Sequence, residues 1–148
     1  MDNYNNYNAL SNLLNEAKQN IYSFYLEIDE DKVHENINDL KEFFTSFKRI
    51  KKLVVDSHKI FPKNLEIFEF IPFKIIKYNL IYLELKFDYY TKLSNALSNK
   101  INELKALEEL RLDHVESFLL AKTNLKYLTL SKIQNITIAQ IVFLIWKY

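Results

Sequence analysis

The stretch Asn79–Asp88 reads NLIYLELKFD, and its reading decides the fold. Leu80, Leu83 and Leu85 stand at Leu-x-x-Leu-x-Leu spacing. Leu83 and Leu85 alternate with Tyr82, Glu84 and Lys86, the period of two that sends successive side chains to opposite faces of a strand. The phrase recurs upstream as NLEIFEF from Asn64 and downstream as NLKYLTL from Asn124. IKKLVVD from Ile50, LEELRLD from Leu107 and YSFYLEID from Tyr22 alternate in the same way.

Aligned on their paired apolar positions, these segments predict six strands: Leu26/Ile28, Leu53/Val55, Phe68/Phe70, Leu83/Leu85, Leu110/Leu112 and Leu128/Leu130. The steps between them are 27, 15, 15, 27 and 18 residues. Helical spacing appears only in the two long steps. Val33, Ile37, Leu40, Phe44 and Phe47 form one apolar stripe across a helix expected over Asp31–Arg49. Leu93, Leu97, Ile101 and Leu104 do the same across Tyr90–Ala106. The expected organisation is one domain: a loose terminus over 1–8, a helical cap over 9–21, repeats over 22–133 and an apolar C-terminal cap over 136–148. A step averaging about 20 residues lies in the range of short repeat arrays.

The Leu-x-x-Leu-x-Leu core of 80/83/85, 107/110/112 and 125/128/130 resembles that of leucine-rich repeats. Ile50/Leu53/Val55 and Leu65/Phe68/Phe70 are conservative versions, and the first unit carries Ser23 where the first Leu should stand. FPKNLEIFEF resembles the Pro-x-Asn-Leu lead-in of short repeats in some bacterial effectors and amoebal proteins. Irregular repeats in an Asn/Lys-rich chain resemble those of insect poxviruses and protists. The resemblance implies an α/β solenoid with a parallel sheet on one face and helices or irregular segments on the other. It also implies protein binding. One departure is clear: three residues past the last Leu, where the family places Asn or Cys, stand His58, Phe73, Asp88, Val115 and Ile133. The 15-residue steps also admit antiparallel hairpins over 65–85.

Composition narrows the function. The 148 residues are 49% apolar and 26% charged with net charge +1, so no global field draws nucleic acid or an anionic membrane. Gly is absent, and with it the phosphate-cradling loop, the dinucleotide fingerprint and the nucleophile elbow, which need its backbone freedom. Cys is absent, so disulfides and thiolate metal sites are excluded. No signal peptide or spanning segment is expected, which suits a cytoplasmic protein. Sixteen Asn, 16 Ile and 18 Lys against two Arg suit an A/T-rich genome.

Isolated features read as structural. His34, His58 and His114 lie in different units without metal-ligand spacing. EIDEDKVHE (Glu27–Glu35) lacks the Gly and terminal Glu of a calcium loop and suits a helix N-terminus. KRIKK (Lys48–Lys52) suits a helix C-terminus. NIT at Asn135–Thr137 is a sequon without a secretion signal. Asn64, Asn79 and Asn124 enter strands at turns where left-handed backbone is expected, and Asn is the best substitute for Gly there. IVFLIW (Ile141–Trp146) should cover the last repeat, with a monomer expected rather than a homodimer.

The residues between the paired apolar positions should face solvent on the strand-lined side. They include Tyr25, Glu27, Ile67, Glu69, Ile71, Tyr82, Glu84, Glu109, Arg111 and Tyr127. The complete set carries seven acids and three bases, −4 against +1 for the chain. The expected function is a non-enzymatic protein-binding module for a basic protein or peptide, with no cofactor, metal, nucleic acid or membrane. The candidate site is Tyr25, Glu27, Glu69, Tyr82, Glu84, Glu109, Arg111 and Tyr127. The alternative is a small α+β enzyme or regulatory subunit with an unfamiliar site.

Overall fold

A computed structural model describes residues 21–29, 38–39, 41–45, 48–58, 68, 71–117 and 125–132. It is an α/β fold around one five-stranded sheet, parallel throughout and not closed. The strands β1 (Ser23–Asp29), β2 (Lys52–His58), β3 (Tyr82–Lys92), β4 (Glu109–Ser117) and β5 (Tyr127–Ser131) lie side by side in chain order. Two helices carry labels here, α1 (Phe73–Ile76) and α2 (Asn95–Asn102). Residues 38, 39 and 41–45 are also helical. The caps expected over 9–21 and 136–148 lie outside the described residues. Among the described residues, no helix is long and apolar enough to cross a membrane.

Alternation builds the core. Leu53, Val55, Leu83, Leu85, Leu110 and Leu112 point to one side and are essentially inaccessible. Leu97 and Ile101 of α2, with Phe44 of the segment 41–45, pack into the same cluster. The rings of Phe24 and Phe44 meet edge to face at 5.4 Å. The outermost strands bury less: Phe24, Leu26, Leu128 and Leu130 are only partly covered.

The strand starts repeat one hydrogen-bond device. The carbonyl of Tyr22 accepts the N–H groups of both Lys51 and Lys52. The carbonyls of Lys51, Ile81 and Glu108 do the same for Ile81/Tyr82, Glu108/Glu109 and Lys126/Tyr127, all at 2.7–3.0 Å. Just inside each of these carbonyl layers, Ile50, Leu80, Leu107 and Leu125 are buried. One shared device at each start sets every strand at the same height on its neighbour.

Four sequence expectations are corrected. First, no strand from NLEIFEF stands between β2 and β3, because β2 pairs directly with β3 from Lys52↔Tyr82 to Ser57↔Phe87; of that stretch only Phe68 is among the described residues. Phe68 is instead buried in a single helical turn, its ring 5.7 Å from that of Phe87. Ile71, expected to face solvent, is 3% exposed beside buried Phe73 and Ile76. Pro72 has no N–H for a ladder and sits instead at the N-cap of α1. No antiparallel hairpin forms with β3 either, since both its neighbours run parallel to it.

Second, the first unit is shifted by two. Phe24 stands opposite Leu53 and Leu26 opposite Val55. Ile21 thus takes the first apolar position, and Ile21-x-x-Phe24-x-Leu26 matches the other units. The partners Phe24, Leu53, Leu83, Leu110 and Leu128 are 29, 30, 27 and 18 residues apart.

Third, the helix expected from Tyr90 begins at Asn95. Tyr90–Lys92 continue β3, and the Ser94 hydroxyl caps the helix by accepting the Leu97 N–H at 3.1 Å. Fourth, Asn79 does not supply left-handed backbone. Among the described residues only His114 (φ 58°) and Lys132 (φ 50°) have positive φ. The Asn79 amide donates to the Lys48 carbonyl at 2.6 Å, tying the turn before β3 to the turn before β2.

Candidate functional site

The side of the sheet opposite the core carries three rows of side chains, set by strand register. The first is Ser23, Lys52, Tyr82, Glu109 and Tyr127. The second is Tyr25, Val54, Glu84, Arg111 and Thr129. The third is Glu27, Asp56, Lys86, Asp113 and Ser131. Of the eight residues expected from sequence, seven fall in these rows. Glu69 lies outside the described residues.

Tyr82, Glu84, Glu109 and Arg111 are brought together. The Tyr82 hydroxyl donates to Glu84 Oε2 at 2.6 Å, and Arg111 Nε donates to Glu109 Oε1 at 3.0 Å. Two cations reach the Tyr82 ring, one from each neighbouring strand: Lys52 Nζ at 4.6 Å from the centroid and Arg111 Cζ at 5.5 Å. On the β1 side, the Tyr25 hydroxyl donates to Asp56 Oδ2 at 2.7 Å. Lys86 joins the two halves, with its Nζ 3.8 Å from Glu84 Oε1 and 5.9 Å from the Tyr25 ring centroid. Tyr127 stands apart on β5 and is 64% exposed.

The electrostatics follow from these contacts. The hydrogen bond to Asp56 is the main reason that the Tyr25 hydroxyl is pushed up to about 12, with desolvation and nearby carboxylates adding to it. Burial leads for Tyr82, also pushed up to about 12, followed by the hydrogen bond to Glu84. Arg111 is raised, chiefly by its bond to Glu109. The rows with Asp29 hold six carboxylates (Glu27, Asp29, Asp56, Glu84, Glu109, Asp113) and three cations (Lys52, Lys86, Arg111), a net −3. The whole chain is +1, so the remainder sums to +4. The face is acidic, aromatic and internally hydrogen-bonded, a surface suited to holding cations.

Sequence reasoning placed Lys52, Asp56 and Lys86 on this side but left them out of the site. Their alternation was legible, but their role was not, because Asp56 meets Tyr25 and Lys86 meets Tyr25 only across strands. Val54 is the least expected member. It lies in the middle of the solvent-facing rows yet is 6% exposed.

A second feature lies at the far end of the central strands. Register between β3 and β4 breaks after Lys86↔Asp113 and resumes at Thr91↔Val115, so four residues of β3 bulge opposite His114. His114 takes its positive φ there, its ring 5.5 Å from that of Tyr90. Its Nδ1 is 3.5 Å from Asp113 Oδ1, and neither of these buried atoms has a hydrogen-bond partner. His34 lies outside the described residues, as does the side chain of His58. Among the described residues, no group of three or more His, Cys, Asp or Glu could hold a metal ion.

Comparison with protein-family models, with curated proteins and with solved structures finds no match.

Proposed function

We propose that this chain is a non-enzymatic, solenoid-type repeat protein of leucine-rich character that binds a basic protein or peptide across the solvent-facing rows of its sheet. The observation that carries the reading is the patch of Tyr82, Glu84, Glu109 and Arg111 at the middle strands. Its hydrogen bonds fix aromatic and charged groups in place before any partner arrives. Tyr and Arg are the usual anchors of protein interfaces, and central positions are the best shielded from water. Preorganised side chains also reduce the ordering cost of association. The solenoid part of the proposal is supported by the repeated hydrogen-bond device at the strand starts and by the apolar position that recurs before each strand. Binding needs no covalent step. The acidic surplus attracts a basic partner, so affinity should fall as salt rises.

The test is a double charge reversal, Glu84→Lys with Glu109→Lys. Wild-type and reversed proteins are used in parallel pull-downs from native cells, with circular dichroism as the folding control. Partners held by wild type and lost by the folded reversed protein support the reading. Equal recovery by both removes this face from consideration. The alternative, an α+β enzyme or regulatory subunit, draws only on the juxtaposition of Asp113 and His114.

A further inference from the structure

Val54 is the only aliphatic residue in the three rows, and its burial requires a cover. Register places it between Tyr25 of β1 and Glu84 of β3 in the middle row. Lys86 Nζ lies near both, 5.9 Å from the Tyr25 ring centroid and 3.8 Å from Glu84 Oε1. Because the Tyr25 hydroxyl reaches Asp56 of β2, these contacts gather the Tyr25 ring and the Lys86 ammonium on the side of β2 that carries Val54. Near that ammonium stand the Tyr25 ring and the Glu84 carboxylate, the Asp56 carboxylate is hydrogen-bonded to Tyr25, and Val54 lies between Tyr25 and Glu84 in the register. These are the components of a cation-binding box.

Lys86 fits the box poorly. Its ion pair is longer than a charge-assisted hydrogen bond, which runs at about 2.7–2.9 Å. Its distance from the ring lies at the outer limit, about 6 Å, for a cation–π contact. Its charge is loosely held, in a site that another group matches better. A guanidinium is planar, stacks on a Tyr face and offers a fork of donors to one or two carboxylates, which an ammonium cannot do.

Building on the proposed reading of this face, we infer that Tyr25, Val54, Asp56 and Glu84 form a subsite for an arginine side chain of the bound basic segment, and that Lys86 is an internal surrogate which that arginine displaces. Lys86 thereby limits affinity. A site open for only a fraction of the time binds more weakly by that fraction, and removing the occupant restores the difference.

The test uses an acetylated, fluorescently labelled heptapeptide alternating Gly with Arg, and its Lys counterpart, titrated against the full chain at low salt. Lys86→Met keeps the aliphatic stem and removes the ammonium. Lys86→Ala removes both. Lys126→Ala is the control for net charge, since Lys126 pairs with Glu108 at 3.0 Å away from the box. The Lys86 variants should bind the Arg peptide about tenfold more tightly than wild type, if the surrogate leaves the box open about a tenth of the time. They should also discriminate Arg from Lys more sharply. Lys126→Ala should change affinity much less, and Glu84→Gln should weaken Arg-peptide binding. If wild type binds the Arg peptide but the Lys86 variants bind it no better than Lys126→Ala does, the surrogate is refuted while the face reading stands. If no variant binds either peptide and charge reversal leaves the pull-down unchanged, both fall together.

Discussion

The Asn79 side-chain amide donates to the Lys48 carbonyl across 31 residues of sequence, at 2.6 Å. The bond joins two turns that lead into neighbouring strands. Asn79→Ala should cost about 0.5–1.5 kcal/mol, the net worth of one hydrogen bond. Asn79→Gly is the informative partner. Were left-handed backbone the reason for Asn, Gly would be tolerated. Because the amide is the reason, Gly should cost at least as much as Ala. Urea midpoints at constant m-value decide between them.

The core prediction separates burial from strand membership. Leu83→Ala and Leu110→Ala should each destabilise by about 2–5 kcal/mol. Phe68→Ala should cost about 3–5 kcal/mol although Phe68 belongs to no strand of the sheet, since its ring packs on Phe87. Thr129→Ala, on the exposed side, should stay within about 0.5 kcal/mol. A Phe68 variant as stable as wild type in chemical denaturation would refute this packing.

Alkaline titration should reveal two late tyrosines. Tyr25 and Tyr82 are both pushed up to about 12, above the unfolded value of about 10. In the folded state they hold their protons longer, so the stability they contribute is complete below the unfolded value and is lost as pH rises from about 10 through 12. Phenolate absorbance should show a late component that shrinks in Tyr25→Phe. Asp56→Asn should bring Tyr25 back toward the ordinary range, because the hydrogen bond to Asp56 is its leading cause.

At the bulge, His114 occupies backbone that β-branched residues avoid. His114→Val should be less stable than His114→Asn by about 1–2 kcal/mol, because Asn tolerates the left-handed region. Equal thermal midpoints for the two variants would show that the strand straightens at this point without penalty.

Within the alternating strands, the sequence by itself determined which side of the sheet each residue takes. Alternation in YLELK and LRLDH places Leu83, Leu85, Leu110 and Leu112 in the core and Tyr82, Glu84 and Arg111 on the opposite side, because a strand has a period of two. Those facts follow from local chemistry alone, as does the chemical type of the candidate site. Register did not follow. A slip of two residues keeps every apolar side chain on the core side, so Leu26 and Phe24 were equally good partners for Leu53 in sequence. Only the stacked strand starts, where Tyr22 holds Lys51 and Lys52, chose Phe24. Nor could alternation show that no strand from NLEIFEF stands between β2 and β3. Its apolar residues satisfy a strand or a packed connection equally, and the direct pairing of β2 with β3 decided the matter. The same tertiary register brought Lys86 near Tyr25 and Asp56 to Tyr25. Neighbours along a strand can be read from spacing, but neighbours across strands exist only once the strands are set side by side.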